Sequence, residues 1–187
     1  MLHRVLRTAF GVATLFISVL TFAHATQAAY TGVILPSKIV IPTANVSARI
    51  IDVGVTKAGN LDVPHNYVQA GWYRYGAIPG QIGNAVIDGH VDNGALVPGP
   101  FKDLKNAKVG DDITVEMTDG TKHTFSIVDS SVYSTKSFPG RSVFIGDGTG
   151  SVLKIITCHG RFIKKEGTYD HRLIVTAVLK NDSLATR

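Results

Sequence analysis

Lys154-Ile155-Ile156-Thr157-Cys158-His159-Gly160 is an apolar, β-branched run that closes on the only cysteine of the chain. Its composition and its stop at glycine mark a buried strand rather than a helix. Similar runs recur along the sequence. Ile39-Val40-Ile41-Pro42 and Ala48 to Val55 come first, then Val68-Gln69-Ala70-Gly71-Trp72-Tyr73 and Asn84-Ala85-Val86-Ile87-Asp88-Gly89-His90. Asp112 to Met117 and Thr121 to Val128 flank Asp119-Gly120 and read as a hairpin. Ser151 to Cys158 and His171 to Leu179 complete eight strands. Only Phe101-Lys102-Asp103-Leu104 and its neighbours suggest a short helical turn. The expected fold is all-β, a barrel or a sandwich closed enough to protect its edges, with short helical turns in its loops.

At 187 residues the chain suits one ordinary domain, and 44% hydrophobic against 18% charged residues excludes a disordered chain. The net charge of +5 includes Arg4 and Arg7 at the extreme N-terminus, which leaves a mild and dispersed +3 elsewhere. The longest basic cluster, Arg161-Phe162-Ile163-Lys164-Lys165, fits a solvated face, so a nucleic-acid partner is not expected.

Arg4 and Arg7 precede an uncharged apolar stretch from Thr8 to Ala23, followed by the small residues of Ala23-His24-Ala25 and Ala28-Ala29. Residues 1–29 therefore read as a signal peptide or signal anchor, 30–38 as a tether and 39–187 as the working domain. The domain then faces an extracytoplasmic space, where an unpaired cysteine calls for an explanation.

Cys158 is either a small buried hydrophobe or a nucleophile at the rim of the barrel. A thiol nucleophile needs a proton-transfer partner. His90 ends an apolar strand beside Gly89, the kind of position from which a rigid scaffold presents a site residue, though a structural histidine fits there as well. His159 follows Cys158 directly, so in a strand it points to the opposite face. Arg172, at the start of the last strand, is either a surface charge or a permanent cation able to stabilise an oxyanion. A zinc site of Cys158, His159, His171 and Asp92 fits no common ligand spacing. Gly146-Asp147-Gly148-Thr149-Gly150-Ser151 lacks the lysine and the following helix of a phosphate loop. No cofactor or metal is expected.

These residues, in this order, resemble the sortases, the cysteine transpeptidases of Gram-positive cell surfaces. The likeness spans about Ile39 to Leu179. It is carried by Gly89-His90 closing the fourth strand, Ile155-Ile156-Thr157-Cys158 closing the seventh, and Arg172-Leu173-Ile174-Val175 opening the eighth. Gly71-Trp72-Tyr73 and the stretch from Pro79 to Val86 also resemble the family, while Gly89-His90-Val91-Asp92, with Gly99-Pro100-Phe101 and Leu104 after it, most resembles class F, with classes D and E as neighbours. Lys154 and Ile155 depart from the family's usual Thr-Leu before x-Thr-Cys.

The resemblance implies a sortase-type barrel with Cys158 as nucleophile, His90 as general acid and base, Arg172 at the oxyanion or the substrate, and Thr157 shaping the groove. It implies cleavage of an LPXTG-like sorting signal between Thr and Gly through a thioester, and transfer to an amine of a peptidoglycan precursor or a pilin lysine. The enzyme would sit at the cell surface on its N-terminal segment, or be secreted if that segment is cleaved. The alternative reading is a non-catalytic surface β-barrel binding module with a buried cysteine. An L,D-type transpeptidase fits poorly, because its Ser-His-Gly-Cys core has the histidine upstream while Thr157-Cys158-His159-Gly160 reverses it.

Overall fold

The computed structural model describes residues 32–93 and 97–180. The expected signal or anchor at 1–29 lies outside the described residues, as do 30–31 of the tether. No described helix is long and apolar enough to cross a membrane.

Among the described residues, eight strands form one closed barrel. They are β1 (Pro36–Ile41), β2 (Val46–Val53), β3 (Ala70–Tyr73), β4 (Gly83–Gly89), β5 (Asp112–Met117), β6 (Lys122–Ser134), β7 (Ser151–Ile163) and β8 (Thr168–Leu179). Their order around the barrel is β1-β2-β3-β4-β7-β8-β6-β5, with β2–β3 and β4–β7 parallel and the other pairs antiparallel. Closure leaves no open edge. The expected hairpin joins β5 to β6. Gly120 takes the left-handed conformation at φ 86°, and Asp119 Oδ1 accepts from the backbone N–H of Thr121 at 2.9 Å. A 3-10 turn at Leu104–Asn106 occupies the place of the expected helical turn.

Alternation along the strands sends Ile39, Ile41, Ile113, Val115, Phe125, Ile127, Leu153, Ile155 and Val175 into the barrel interior. A second, smaller cluster forms on the opposite face of the sheet from Val86, Ile156, Ile174 and Val143, flanked by Leu61, Tyr73, Tyr133, Phe138 and Phe144. β4 lies under both clusters, with Ala85 and Ile87 on one face and Val86 on the other. Such two-sided burial is why the Ala85-Val86-Ile87 run does not alternate with polar residues.

Several features depart from the sequence reading. β8 begins at Thr168, three residues before the expected His171, so Arg172 lies inside the strand and not at its start. β1 begins at Pro36, inside the span expected to be tether. β6 continues past Val128 to Ser134, because β8 offers it a partner that far, across a register shift between Ile127 and Asp129. β7 does not stop at Gly160. There the glycine adopts φ 85°, the register with β8 shifts between His159 and Phe162, and the strand runs on to Ile163. A bulge of this kind bends a strand without ending it. Cys158 therefore lies within a strand, on its outer face, rather than at a barrel rim.

β4 ends at Gly89 while the β7–β8 ribbon continues, so His90 stands at a step beside the longer strands. Gly89 is packed closely: a Cβ there would meet the Phe101 ring at 2.8 Å. Gly89→Ala is expected to push out Phe101 and cost about 1–3 kcal/mol in urea unfolding.

Candidate active site

β4 and β7 pair in parallel with Asp88 opposite Ile156 and Gly89 opposite Thr157. Parallel neighbours in register share a face. Val86 and Asp88 of β4 thus lie on the same face as Ile156 and Cys158 of β7, and His90 follows just past the end of β4. Across β7 on its far side, Cys158 is directly opposite Arg172 of β8. His90 from just past β4, with Cys158 and Arg172 from the β7–β8 ribbon, lines one cavity of about 1020 Å³ together with Asp88, Asp92, Tyr67 and Tyr169.

Thr157 holds this register. It is buried, and its hydroxyl donates to the Gly89 carbonyl oxygen at 2.8 Å. Its side chain therefore ties β7 to β4 at the point where His90 and Cys158 emerge. His159 falls on the other face of β7, as strand alternation requires, beside Lys105 and Gly160.

His90 is held from two sides. A carbonyl can only accept, so Nε2–H donates to Pro64 O at 2.9 Å, and the Tyr67 ring packs on the imidazole with centroids 4.5 Å apart. Behind it, the N–H of Phe101 donates to the His90 carbonyl at 3.1 Å. A Cβ on Gly99 would run into that same carbonyl, so the Gly99-Pro100-Phe101 segment can pack here only with glycine first.

Arg172 spends its donors on the ribbon. Nη1 donates to Tyr169 O and His171 O, each at 2.9 Å, and Nη2 to Thr168 Oγ1 at 3.0 Å. The guanidinium is thereby a fixed positive charge beside the sulfur. Tyr169 closes the neighbouring side: its hydroxyl donates to Asp92 Oδ2 at 2.6 Å, and chiefly through that bond its pKa is pushed up to about 12. This bond ties the loop after His90 to the β7–β8 ribbon.

Cys158 is half-buried, and loss of hydration pushes its thiol up. Arg172 acts in the opposite sense, Asp92 and Asp88 add to the rise, and the Tyr169 backbone N–H favours the thiolate. Asp88 is buried on the cavity side of β4, with Oδ1 unbonded among the described residues. Burial is the main cause that raises its pKa to about 8, with Asp62 adding to it and a bond to its own backbone opposing.

Sequence reasoning names Cys158, His90, Arg172 and Thr157; it misses Asp88, Pro64, Tyr67 and Tyr169. An acid inside an apolar strand is a visible signal for Asp88. Nothing local marks Pro64 or Tyr67, whose place depends on the loop between β2 and β3.

Because Arg172 favours the thiolate, Arg172→Gln is expected to move the pH midpoint of Cys158 alkylation upward, read as iodoacetamide rate against pH. Asp88 predicts a stability effect. The unfolded chain releases its proton near 3.8 while the fold keeps it to about 8, so its burial destabilises the fold increasingly as pH rises through that window. The Tm difference between Asp88→Asn and the unsubstituted protein should accordingly shift in the variant's favour from pH 3.8 to about 8 and then level off.

The Sortase domain family model matches residues 39–180. No curated protein matches the sequence. Among solved structures, a lid mutant of sortase A from Corynebacterium diphtheriae is similar at a TM-score of 0.61 and 21% identity, over 79% of this chain and 70% of that one. A lid mutant of Streptococcus agalactiae sortase C1 gives 0.59 and 18%, over 80% and 71%. Sortase C-1 from Actinomyces oris gives 0.59 and 22%, over 77% and 71%. At such identities the structural likeness concerns the barrel alone. The family match covers well over half of the sequence, and the chain belongs to the sortase domain family.

Proposed function

We propose that this sortase is a cysteine transpeptidase in which Cys158 is the nucleophile, His90 the general acid and base, and Arg172 the cation that favours the thiolate and the developing oxyanion. The observation that carries the reading is the sharing of one cavity by these three side chains, with Cys158 and Arg172 directly opposed across β7 and β8. A packing cysteine needs neither a fixed guanidinium opposite it nor an oriented imidazole at the adjacent strand end.

The Cys158 thiolate attacks the carbonyl carbon between Thr and Gly of an LPXTG-like peptide. The negative charge that forms on the carbonyl oxygen is met by Arg172. As the C–N bond breaks, imidazolium His90 gives its proton to the departing amine, which leaves an acyl thioester on Cys158. Neutral His90 then takes a proton from an incoming amine, of a peptidoglycan precursor or a pilin lysine, as that amine displaces the thiol. While Nε2 stays on Pro64 O, proton exchange falls to Nδ1. Thr157 serves the groove by fixing the register of β7 against β4.

The Gly89-His90-Val91-Asp92 and Gly99-Pro100-Phe101 patterns support class F, with D and E next. The charge pattern of 1–29 supports a signal anchor that holds the domain of 39–187 at the outer cell surface. The chain incubated with LPXTG-type peptides and an amine acceptor should release the Gly-bearing fragment and form the amide product. Cys158→Ala should abolish turnover, and His90→Ala and Arg172→Ala should lower kcat/KM by on the order of a hundredfold or more. Turnover that survives Cys158→Ala would overturn the reading, as would a native thiol inert to alkylation, the mark of a binding module.

A further inference from the structure

Asp88 is a buried acid on the cavity face that the proposed acyl transfer leaves without a task. It precedes His90 by two residues on β4 and is in register with Ile156, so Cys158 is its diagonal neighbour on β7. The residue is 4% exposed, and among the described residues Oδ1 has no hydrogen-bond partner. The carboxyl also occupies the volume a side chain at residue 71 would need: a Cβ on Gly71 of β3 would stand 2.5 Å from Oδ1. Room has been made for an acid where a charged carboxylate is poorly accommodated.

The charged and titratable groups around it come from every neighbouring element. Cys158 and, further back, Lys154 lie on β7, with Lys154 Nζ donating to Thr176 Oγ1 at 3.0 Å. Arg172 comes from β8 and Tyr73 from β3. Asp62 comes from the loop after β2, Arg141 from the 3-10 turn at Gly140–Val143, Asp92 from the loop after β4, and His90 from the end of β4 itself. Two of these act on the thiol in opposite senses: Arg172 draws it toward thiolate, and a charge on Asp88 pushes it back.

We propose that Asp88 is a positioning residue for the thiol, acting by staying neutral: its proton keeps a negative charge out of the field that Arg172 imposes on Cys158. Loss of that proton turns the same carboxyl into a brake, because a unit charge at diagonal-neighbour spacing shifts the thiol–thiolate equilibrium by on the order of tenfold. The inference rests on the reading of Cys158 as nucleophile. It makes the thiol self-limiting in alkali, since the rise in thiolate is opposed just where Asp88 ionises, around pH 8.

The test is the iodoacetamide alkylation rate of the full chain against pH, compared with Asp88→Asn. The two profiles should coincide below about pH 7, and the variant should react up to on the order of tenfold faster above about pH 8. The unsubstituted protein's own profile should climb less steeply there than a single ionisation. Superimposable profiles, or a ratio constant at every pH, would overturn the proposal and leave Asp88 a structural role only. Infrared spectra of the unsubstituted protein serve if the variant does not fold. A protonated-carboxyl band that fades through about pH 8 is expected, and its absence at neutral pH would also overturn the proposal. A thiol unreactive at every pH would instead sink the nucleophile reading, with the infrared titration still deciding the state of Asp88.

Discussion

The site depends on the parallel pairing of β4 with β7. Two strands separated in sequence by the β5–β6 hairpin run side by side, and the buried bond from Thr157 Oγ1 to Gly89 O fixes which residues face each other where β4 ends. A slip of one residue would turn Cys158 into the barrel and Thr157 out to the cavity. Everything chemical follows from that alignment: imidazole at the strand end, thiol beside it, and guanidinium on the next strand over. A satisfied polar contact in an otherwise apolar interior specifies one arrangement, because every alternative leaves a buried donor or acceptor unpaired.

Electrostatics and burial pull against each other at Cys158. Half-burial shields the sulfur from water and disfavours its charge, while Arg172 restores part of what burial removes. The guanidinium can do so steadily because three of its hydrogen bonds anchor it to the β7–β8 ribbon. His90 is fixed by a different means, a carbonyl from the loop before β3 and an aromatic ring from the same loop. The loop after β2 thereby contributes to the site although it contains none of the groups assigned to bond making. The Tyr169–Asp92 bond plays the matching part on the other side, joining the loop after His90 to the ribbon.

Much of this architecture is legible in the sequence. Apolar β-branched runs between glycine and aspartate turns identify the strands, and Gly89-His90 and Thr157-Cys158 announce themselves by standing at the ends of such runs. What is not legible depends on partners distant in sequence. The extension of β6 and β7 beyond Val128 and Gly160 exists because β8 pairs with both, and no local pattern in Asp129–Ser134 or Arg161–Ile163 demands it. Gly160 reads as a strand stop in isolation; in the fold its left-handed backbone supplies a bend inside a continuing ribbon. Asp88 reads as a polar interruption near a strand end, and only the gap left by Gly71 on the neighbouring strand makes it a buried acid. Arg172 reads in the sequence as the start of a strand; in the fold it lies inside β8, and its anchoring by Tyr169, His171 and Thr168 follows from how the ribbon turns back on itself.

In the proposed mechanism Cys158 carries the acyl group. Intact-mass measurement of the chain quenched in acid during turnover of an LPXTG-type peptide tests it most directly. The predicted result is an added mass equal to the peptide fragment through Thr, mapped to Cys158 and removed by hydroxylamine. An unmodified chain under conditions of active cleavage, or an adduct on any other residue, would contradict it.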